Sequence, residues 1–96
     1  MAFIQVDYFN AIAQAKKLED AAERCGEALR TIRTQSGNSE QFWKGNSGKA
    51  MRAKMLETVS ELSAAQRELQ SLAAAIRKVA EELKETDTSL AGLFRM

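Results

Sequence analysis

The sequence predicts an all-α protein, an antiparallel two-helix hairpin with a Trp-x-Gly loop that pairs into a four-helix-bundle dimer. The 96 residues contain no Pro and only five Gly, and they are rich in the residues that favour helix. Apolar or small residues recur in alternating steps of four and three along two long segments, which is the pattern of helices that pack along one stripe. A chain this short buries only about 60% of its unfolded surface, so a stabilising partner is expected.

The first predicted helix spans about residues 7–36. It should end where Gly37 can adopt a left-handed conformation and Asn38 and Ser39 favour a turn. Its apolar stripe, called here the first seam, consists of Ile4, Tyr8, Ala11, Ala15, Leu18, Ala22, Cys25, Leu29 and Ile32.

The second predicted helix spans about residues 47–86, after a loop at about 37–46 and before a flexible tail at about 87–96. Asn46 or Ser47 is predicted to cap its N-terminus through a side-chain oxygen. Its stripe, the second seam, consists of Met55, Val59, Leu62, Gln66, Leu69, Ala73, Ile76, Ala80 and Leu83, widened by Met51, Leu72 and Val79. The whole chain, residues 1–96, is expected to form one domain.

Helices this long are not stable alone on so narrow a stripe, and the short loop lets the chain reverse, so a hairpin is the economical solution. A single hairpin has one inner face and leaves Leu56, Leu72, Val79, Phe9 and Ile12 uncovered, which favours pairing with a second hairpin. The residues predicted to form the hairpin or dimer interface are Leu18, Cys25, Leu29, Ile32, Met55, Val59, Leu62, Leu69, Leu72, Ile76 and Val79.

Composition argues against several functional classes. The formal net charge is +1 and the two signs are interspersed along the chain without forming blocks, whereas nucleic-acid binders concentrate basic residues. With one Cys and no His, there is no internal disulfide, metal-ligand set or Cys/His pair. The carboxylates Glu81, Glu82, Glu85 and Asp87 are typical of a solvated face. We therefore expect no enzyme activity, no metal, no cofactor and no nucleic-acid partner, and neither a signal peptide nor a membrane span.

The sequence "QFWKGNSG" at residues 41–48 places the only Trp of the chain in the predicted loop. Trp43, with Phe42 beside it, supplies a large apolar area that suits a lid over the closed end of a hairpin. Gly45 permits a backbone angle that a side chain would forbid. Physical chemistry alone thus explains the loop as a structural cap.

The central Trp43-Lys44-Gly45, the chain length of about a hundred residues, the two long helices and the following "NSGKAM" together resemble the WXG family, the early secreted antigenic target superfamily. This resemblance implies a substrate of type VII (ESX-type) secretion, or an escort of another secreted protein. It also implies a homodimer or a heterodimer with a related hairpin or a larger effector, and a type VII secretion ATPase as partner. The protein would be cytoplasmic before export and would leave without a cleavable signal peptide.

The same resemblance suggests a second part of the export signal. The family commonly carries Tyr-x-x-x-Asp/Glu after its second helix; that spacing falls here on Leu83, in place of the Tyr, and Asp87. An antiparallel dimer would set Trp43 and Gly45 of one protomer against Leu83 and Asp87 of its partner, forming one composite patch. The alternative is an intracellular coiled-coil adaptor in which Trp43 is only a cap.

Overall fold

The computed structural model contains two helices joined by a short loop. Helix α1 spans Ala2–Ser39, helix α2 spans Gly45–Arg95, and residues 40–44 connect them. The structure describes the backbone over residues 2–95 and the side chains over residues 7–86. No strand occurs in the described backbone, so the prediction of an all-α helical hairpin is confirmed. The four-helix dimer stays a prediction.

The helix bounds differ from the predicted ones. Helix α1 begins at Ala2 and continues through Gly37 to Ser39, because a helical Gly costs only about 1 kcal/mol relative to Ala. In the described backbone a positive φ occurs at Gly45, at 87°, and not at Gly37. The angle predicted for Gly45 is therefore confirmed, and the helix stop predicted at Gly37 is wrong.

Helix α2 is also longer than predicted. It begins at Gly45, two residues before the predicted start, so Asn46 and Ser47 lie inside its first turn and are not its N-cap. At the other end it runs to Arg95, through residues for which a flexible tail is predicted. The backbone there contains no Pro that would stop a helix.

The chain divides into two compact units, each containing a segment of both helices. One unit, called here the terminal unit, comprises Met1–Asp20 with Leu69–Met96, and the other, the loop unit, comprises Ala21–Glu68. In the terminal unit Tyr8 contacts Glu81 and Glu19 contacts Arg77. The residue on α1 with the higher number, Glu19, thus contacts the residue on α2 with the lower number, Arg77. The two helix segments are therefore antiparallel in this unit.

In the loop unit the two helices are joined by a polar residue of the second seam. The side-chain Nε2 of Gln66 on α2 donates a hydrogen bond of 3.1 Å to the backbone oxygen of Ala22 on α1. Gly26, one turn further along α1, leaves the space for this amide, since a Cβ atom there would lie 2.9 Å from Nε2. This contact fixes which turn of α1 faces which turn of α2.

The buried apolar core is made almost entirely of alanine. Among the described side chains, the buried apolar residues are Ala15, Ala22, Leu29, Ala73 and Ala80. Most other seam residues with described side chains are half-buried. Four large apolar side chains that were predicted to remain uncovered are more than half exposed, namely Phe9, Leu56, Leu72 and Val79. Small residues at the seam let the two helix backbones approach closely, and the larger apolar groups remain available to a partner.

Candidate functional site

The loop that carries Trp43 is tied to the end of α1 by backbone hydrogen bonds. The backbone N–H groups of Phe42 and Trp43 both donate to the carbonyl oxygen of Ser39, at 3.2 and 2.8 Å. Ser39 is itself buried, and its hydroxyl donates to the carbonyl of Ser36 at 2.7 Å. These bonds satisfy groups that the end of a helix would otherwise leave unpaired. The backbone of the Trp43 loop, residues 40–44, is therefore well fixed.

The indole of Trp43 is neither buried nor free. Its Nε1–H donates a hydrogen bond of 3.2 Å to the hydroxyl of Ser47, in the first turn of α2. Trp43 as a whole residue is 41% exposed, and the neighbouring Phe42 is more exposed still. A hairpin lid would be expected to be mostly buried, so part of Trp43 remains available for contact with another molecule.

The carbonyl group of Trp43 points at α2. The guanidinium Nη1 of Arg52 donates to this oxygen at 2.8 Å. Gly48, which is buried, lies against the same carbonyl group. Trp43 is thus held by α2 at both its backbone and its side chain, and Gly45, the other motif residue predicted to act as a signal, is the first residue of α2.

An open apolar groove of about 420 Å³ lies beside Trp43 in the loop unit. Phe42 and Trp43 line it from the loop, and Met51 and Met55 line it from α2. Methionine side chains are flexible and polarisable, which suits surfaces that adapt to apolar groups of another protein. The apolar periodicity predicts Met51 and Met55 in the second seam and gives no relation between them and Trp43.

The tail residues of the predicted signal belong to the terminal unit. Leu83 is 55% exposed and lines a second groove, of about 400 Å³, together with Tyr8, Ile76 and Val79. The backbone of Asp87 lies within α2, but its side chain lies outside the described residues. The predicted role of Leu83 and Asp87 therefore stays a prediction.

Polar contacts that sequence analysis missed connect the helices of the terminal unit. Arg77 donates two hydrogen bonds to Glu19, at 2.7 and 2.8 Å, and these bonds hold the pKa of the Glu19 carboxyl below its usual value. The hydroxyl of Tyr8 donates to Glu81 at 2.6 Å, which raises the pKa of Tyr8. The Lys84 ammonium lies 4.8 Å from the centre of the Tyr8 ring. A four- and three-residue periodicity gives no information on such pairs, because it treats all polar positions alike.

The predicted interface residues are distributed over both helices of both units. Leu29 is buried, Leu72 and Val79 are exposed, and the other members of the set are half-buried; these are Leu18, Cys25, Ile32, Met55, Val59, Leu62, Leu69 and Ile76. Their assignment to the hairpin or to a dimer stays a prediction.

The described part of the chain offers little for metal chemistry or membrane insertion. Its His, Cys, Asp and Glu side chains do not form a group of three or more that could hold a metal ion. Neither helix contains, within its described residues, a segment both long and apolar enough to cross a bilayer.

The chain is an all-α hairpin, and its turn presents a partly exposed Trp two residues before a Gly of positive φ. This combination defines a class of small helical proteins. The chain belongs to the WXG100 family, described as "Proteins of 100 residues with WXG", which matches residues 4–88. No curated protein and no solved structure matches the chain. The predicted family resemblance is therefore confirmed over most of the sequence.

Family membership gives the biological context. Type VII secretion is the known context of the WXG100 family, whose members are small secreted helical proteins and typically form dimers with related partners. This chain is accordingly a small helical protein of type VII secretion. The family consists of secreted proteins that are not enzymes.

Proposed function

We propose that this protein is exported by a type VII system as one member of a dimer of helical hairpins, either with a second copy or with a related chain that it escorts. The exposed indole of Trp43 carries this proposal. Trp43 is fixed by hydrogen bonds at its backbone and at Nε1, yet the residue is 41% exposed. A large aromatic residue held in this way has the properties of a recognition group.

The exposed apolar side chains support the assembly. Phe9, Leu56, Leu72 and Val79 remain more than half exposed in the single chain, while the buried apolar positions are mainly alanine. Covering these groups with a second hairpin removes apolar surface from water at roughly 25 cal/mol per Å². The interface predicted from the sequence includes Leu72 and Val79. A chain that stays strictly monomeric at micromolar concentration would contradict this assembly.

The export signal is proposed to be shared between the two chains. Trp43 and Gly45 of one protomer would lie beside Leu83 and Asp87 of its partner, and the secretion ATPase would bind the combined patch. Charge is consistent with this arrangement. Basic residues outnumber acidic ones around Trp43, with Lys44, Lys49, Arg52 and Lys54 against Glu40 and Glu57, whereas residues 81–87 contain Glu81, Glu82, Glu85 and Asp87 against Lys84.

Mixing two export-deficient variants tests the shared signal. Trp43→Ala and Asp87→Ala should each be blocked in export but still dimerise, and Lys44→Ala serves as a matched loop control. Because the indole is partly exposed, Trp43→Ala should cost less than the ~3–5 kcal/mol typical of a fully buried aromatic residue. A mixed dimer of the two variants retains one intact patch out of two, so co-expression should partly restore secretion.

The result would count against the shared signal if both variants fold and dimerise but their mixture is not exported. The adaptor alternative makes a different prediction: Trp43→Ala should then lower stability as a buried aromatic does, and no export should be detected for the unmodified chain.

A further inference from the structure

The carbonyl group of Trp43 is held by two residues of α2 that lie outside the Trp-x-Gly motif. Arg52 donates to the carbonyl oxygen at 2.8 Å. At Gly48, a Cβ atom would overlap this oxygen and would lie 2.9 Å from the Trp43 carbonyl carbon. Both neighbours are backbone atoms, so no rotation of a side chain can relieve the contact. Position 48 therefore accepts only Gly while the loop keeps its observed path.

Trp43 is also held at its other two polar atoms. Its backbone N–H donates to Ser39 at 2.8 Å, and its indole N–H donates to Ser47 at 3.2 Å. All three polar atoms of Trp43 are thus bonded within the loop unit. A group fixed in its bound orientation loses less entropy when it binds, so this arrangement favours recognition as well as stability.

We propose that Gly48 and Arg52 are positioning residues that hold Trp43 in the orientation recognised by the export machinery. The inference rests on the proposed function of Trp43. The functional motif then extends from Trp-x-Gly to the ten-residue pattern Trp-x-Gly-x-x-Gly-x-x-x-Arg, present here as "WKGNSGKAMR" at residues 43–52. Gly48 and Arg52 are four residues apart, so they lie on the same face of α2.

Single substitutions at these positions separate positioning from folding. Gly48→Ala should move the loop, whereas Gly37→Ala is the matched control, since nothing lies within 4 Å of a Cβ there. Arg52→Met removes the hydrogen bond to Trp43 but keeps a long side chain. Arg52→Lys keeps a cationic donor and should restore part of the function.

Trp43 is the only Trp of the chain, so its fluorescence reports directly on the loop. Gly48→Ala and Arg52→Met should change the emission maximum and the quenching by acrylamide while circular dichroism and dimer mass stay as in the unmodified protein. Export should fall by about tenfold for Arg52→Met, the factor that corresponds to one hydrogen bond, and by at least as much for Gly48→Ala. Gly37→Ala should leave emission and export unchanged.

The controls distinguish this inference from the proposed function. If Trp43→Ala is exported normally, the proposed function is wrong and the positioning role for export is wrong with it. If Trp43→Ala is blocked but Gly48→Ala and Arg52→Met are exported like the unmodified protein, only the positioning role is overturned. Should Gly48→Ala fail to fold, Arg52→Met decides the question, because it adds no atom near the loop backbone.

Discussion

The two units of this chain connect α1 to α2 by different kinds of polar contact. In the terminal unit the contacts join two side chains, as in Glu19 with Arg77. In the loop unit the contact joins a side chain to a backbone carbonyl, as in Gln66 with Ala22. A carboxylate titrates, and its attraction to a cation is screened by salt. A backbone carbonyl carries no net charge and does not titrate. Acid and salt should therefore weaken the cross-helix contacts of the terminal unit and spare those of the loop unit.

The largest expected loss of stability comes from a feature that each unit has, buried alanine residues between its two helix segments. Ala73 in the terminal unit is 1% exposed and Ala22 in the loop unit is 3% exposed. Ala73→Asp or Ala22→Asp buries an unpaired charge and should cost several kcal/mol, a large part of the ~5–15 kcal/mol that stabilises a typical domain. Loss of helical circular dichroism at micromolar concentration measures this effect in both variants.

Exposed alanines provide the control for this experiment. Ala74→Asp and Ala28→Asp introduce the same charge on the exposed faces of the same helices and should leave the helical signal nearly unchanged. A tolerated Asp at position 73 or 22 would show that the alanine seam of that unit is not closed in solution.

A smaller effect should separate the units by pH. The Arg77 hydrogen bonds lower the pKa of Glu19 in the folded chain, so their contribution is complete above the ordinary Glu pKa of about 4.3. It is lost as the pH falls below that value through the folded pKa. Glu19→Gln should accordingly lower the melting temperature at neutral pH, and the difference from the unmodified protein should shrink in acid and in high salt.

Asp20→Asn is the matched control for the pH experiment, because Asp20 forms an exposed pair at 3.5 Å with Lys16 on the same helix. Exposed pairs of this kind contribute little, so this variant should melt close to the unmodified protein at every pH. A difference between Glu19→Gln and the unmodified protein that does not change with pH would mean that Arg77 and Glu19 are not paired in solution.

The smallest effect tests the backbone contact of the loop unit. Gly26→Ala gains helix propensity, worth up to about 1 kcal/mol, but its Cβ crowds the Gln66 amide at 2.9 Å. The gain should appear in full in a Gln66→Ala background and be reduced by about 0.5–1 kcal/mol when Gln66 is present, as is typical of coupled neighbours. Urea denaturation of the four variants measures this coupling, which should be independent of pH.

Gly37→Ala in the same two backgrounds is the control, because it measures the gain in stability at a position where the new Cβ meets no neighbour. Its gain should be equal with and without Gln66, because no atom lies near its Cβ. Equal gains for Gly26→Ala in both backgrounds would mean that the Gln66 side chain does not occupy the space beside Gly26.

Sequence periodicity predicted much of the fold and less of the site. The buried residues Ala15, Ala22, Leu29, Ala73 and Ala80 all belong to the predicted seams, because the spacing of apolar residues follows directly from helix geometry. Helix ends were predicted poorly, since Gly37 continues a helix as readily as it ends one when nothing there requires a positive φ. The Trp43 loop was located from its residue types and from family resemblance.

The contacts that hold Trp43 could not be predicted from the sequence. Gly48 and Arg52 are separated from it by five and nine residues, and no helix or strand period relates positions across a turn. Gly48 falls at the start of the second predicted helix, where nothing in the sequence marks it as a position that excludes a side chain. The reason that a side chain is excluded is visible only in the structure, where a Cβ atom at position 48 would overlap the Trp43 carbonyl oxygen.

The alanine core has a thermodynamic consequence. The heat capacity change of unfolding rises with the apolar area that becomes exposed, and alanine contributes very little area for each residue buried. The single hairpin should therefore unfold with a small heat capacity change and a weak dependence on urea. In the proposed assembly most of the apolar area would be buried between chains instead, so both quantities, and the melting temperature with them, should rise with protein concentration.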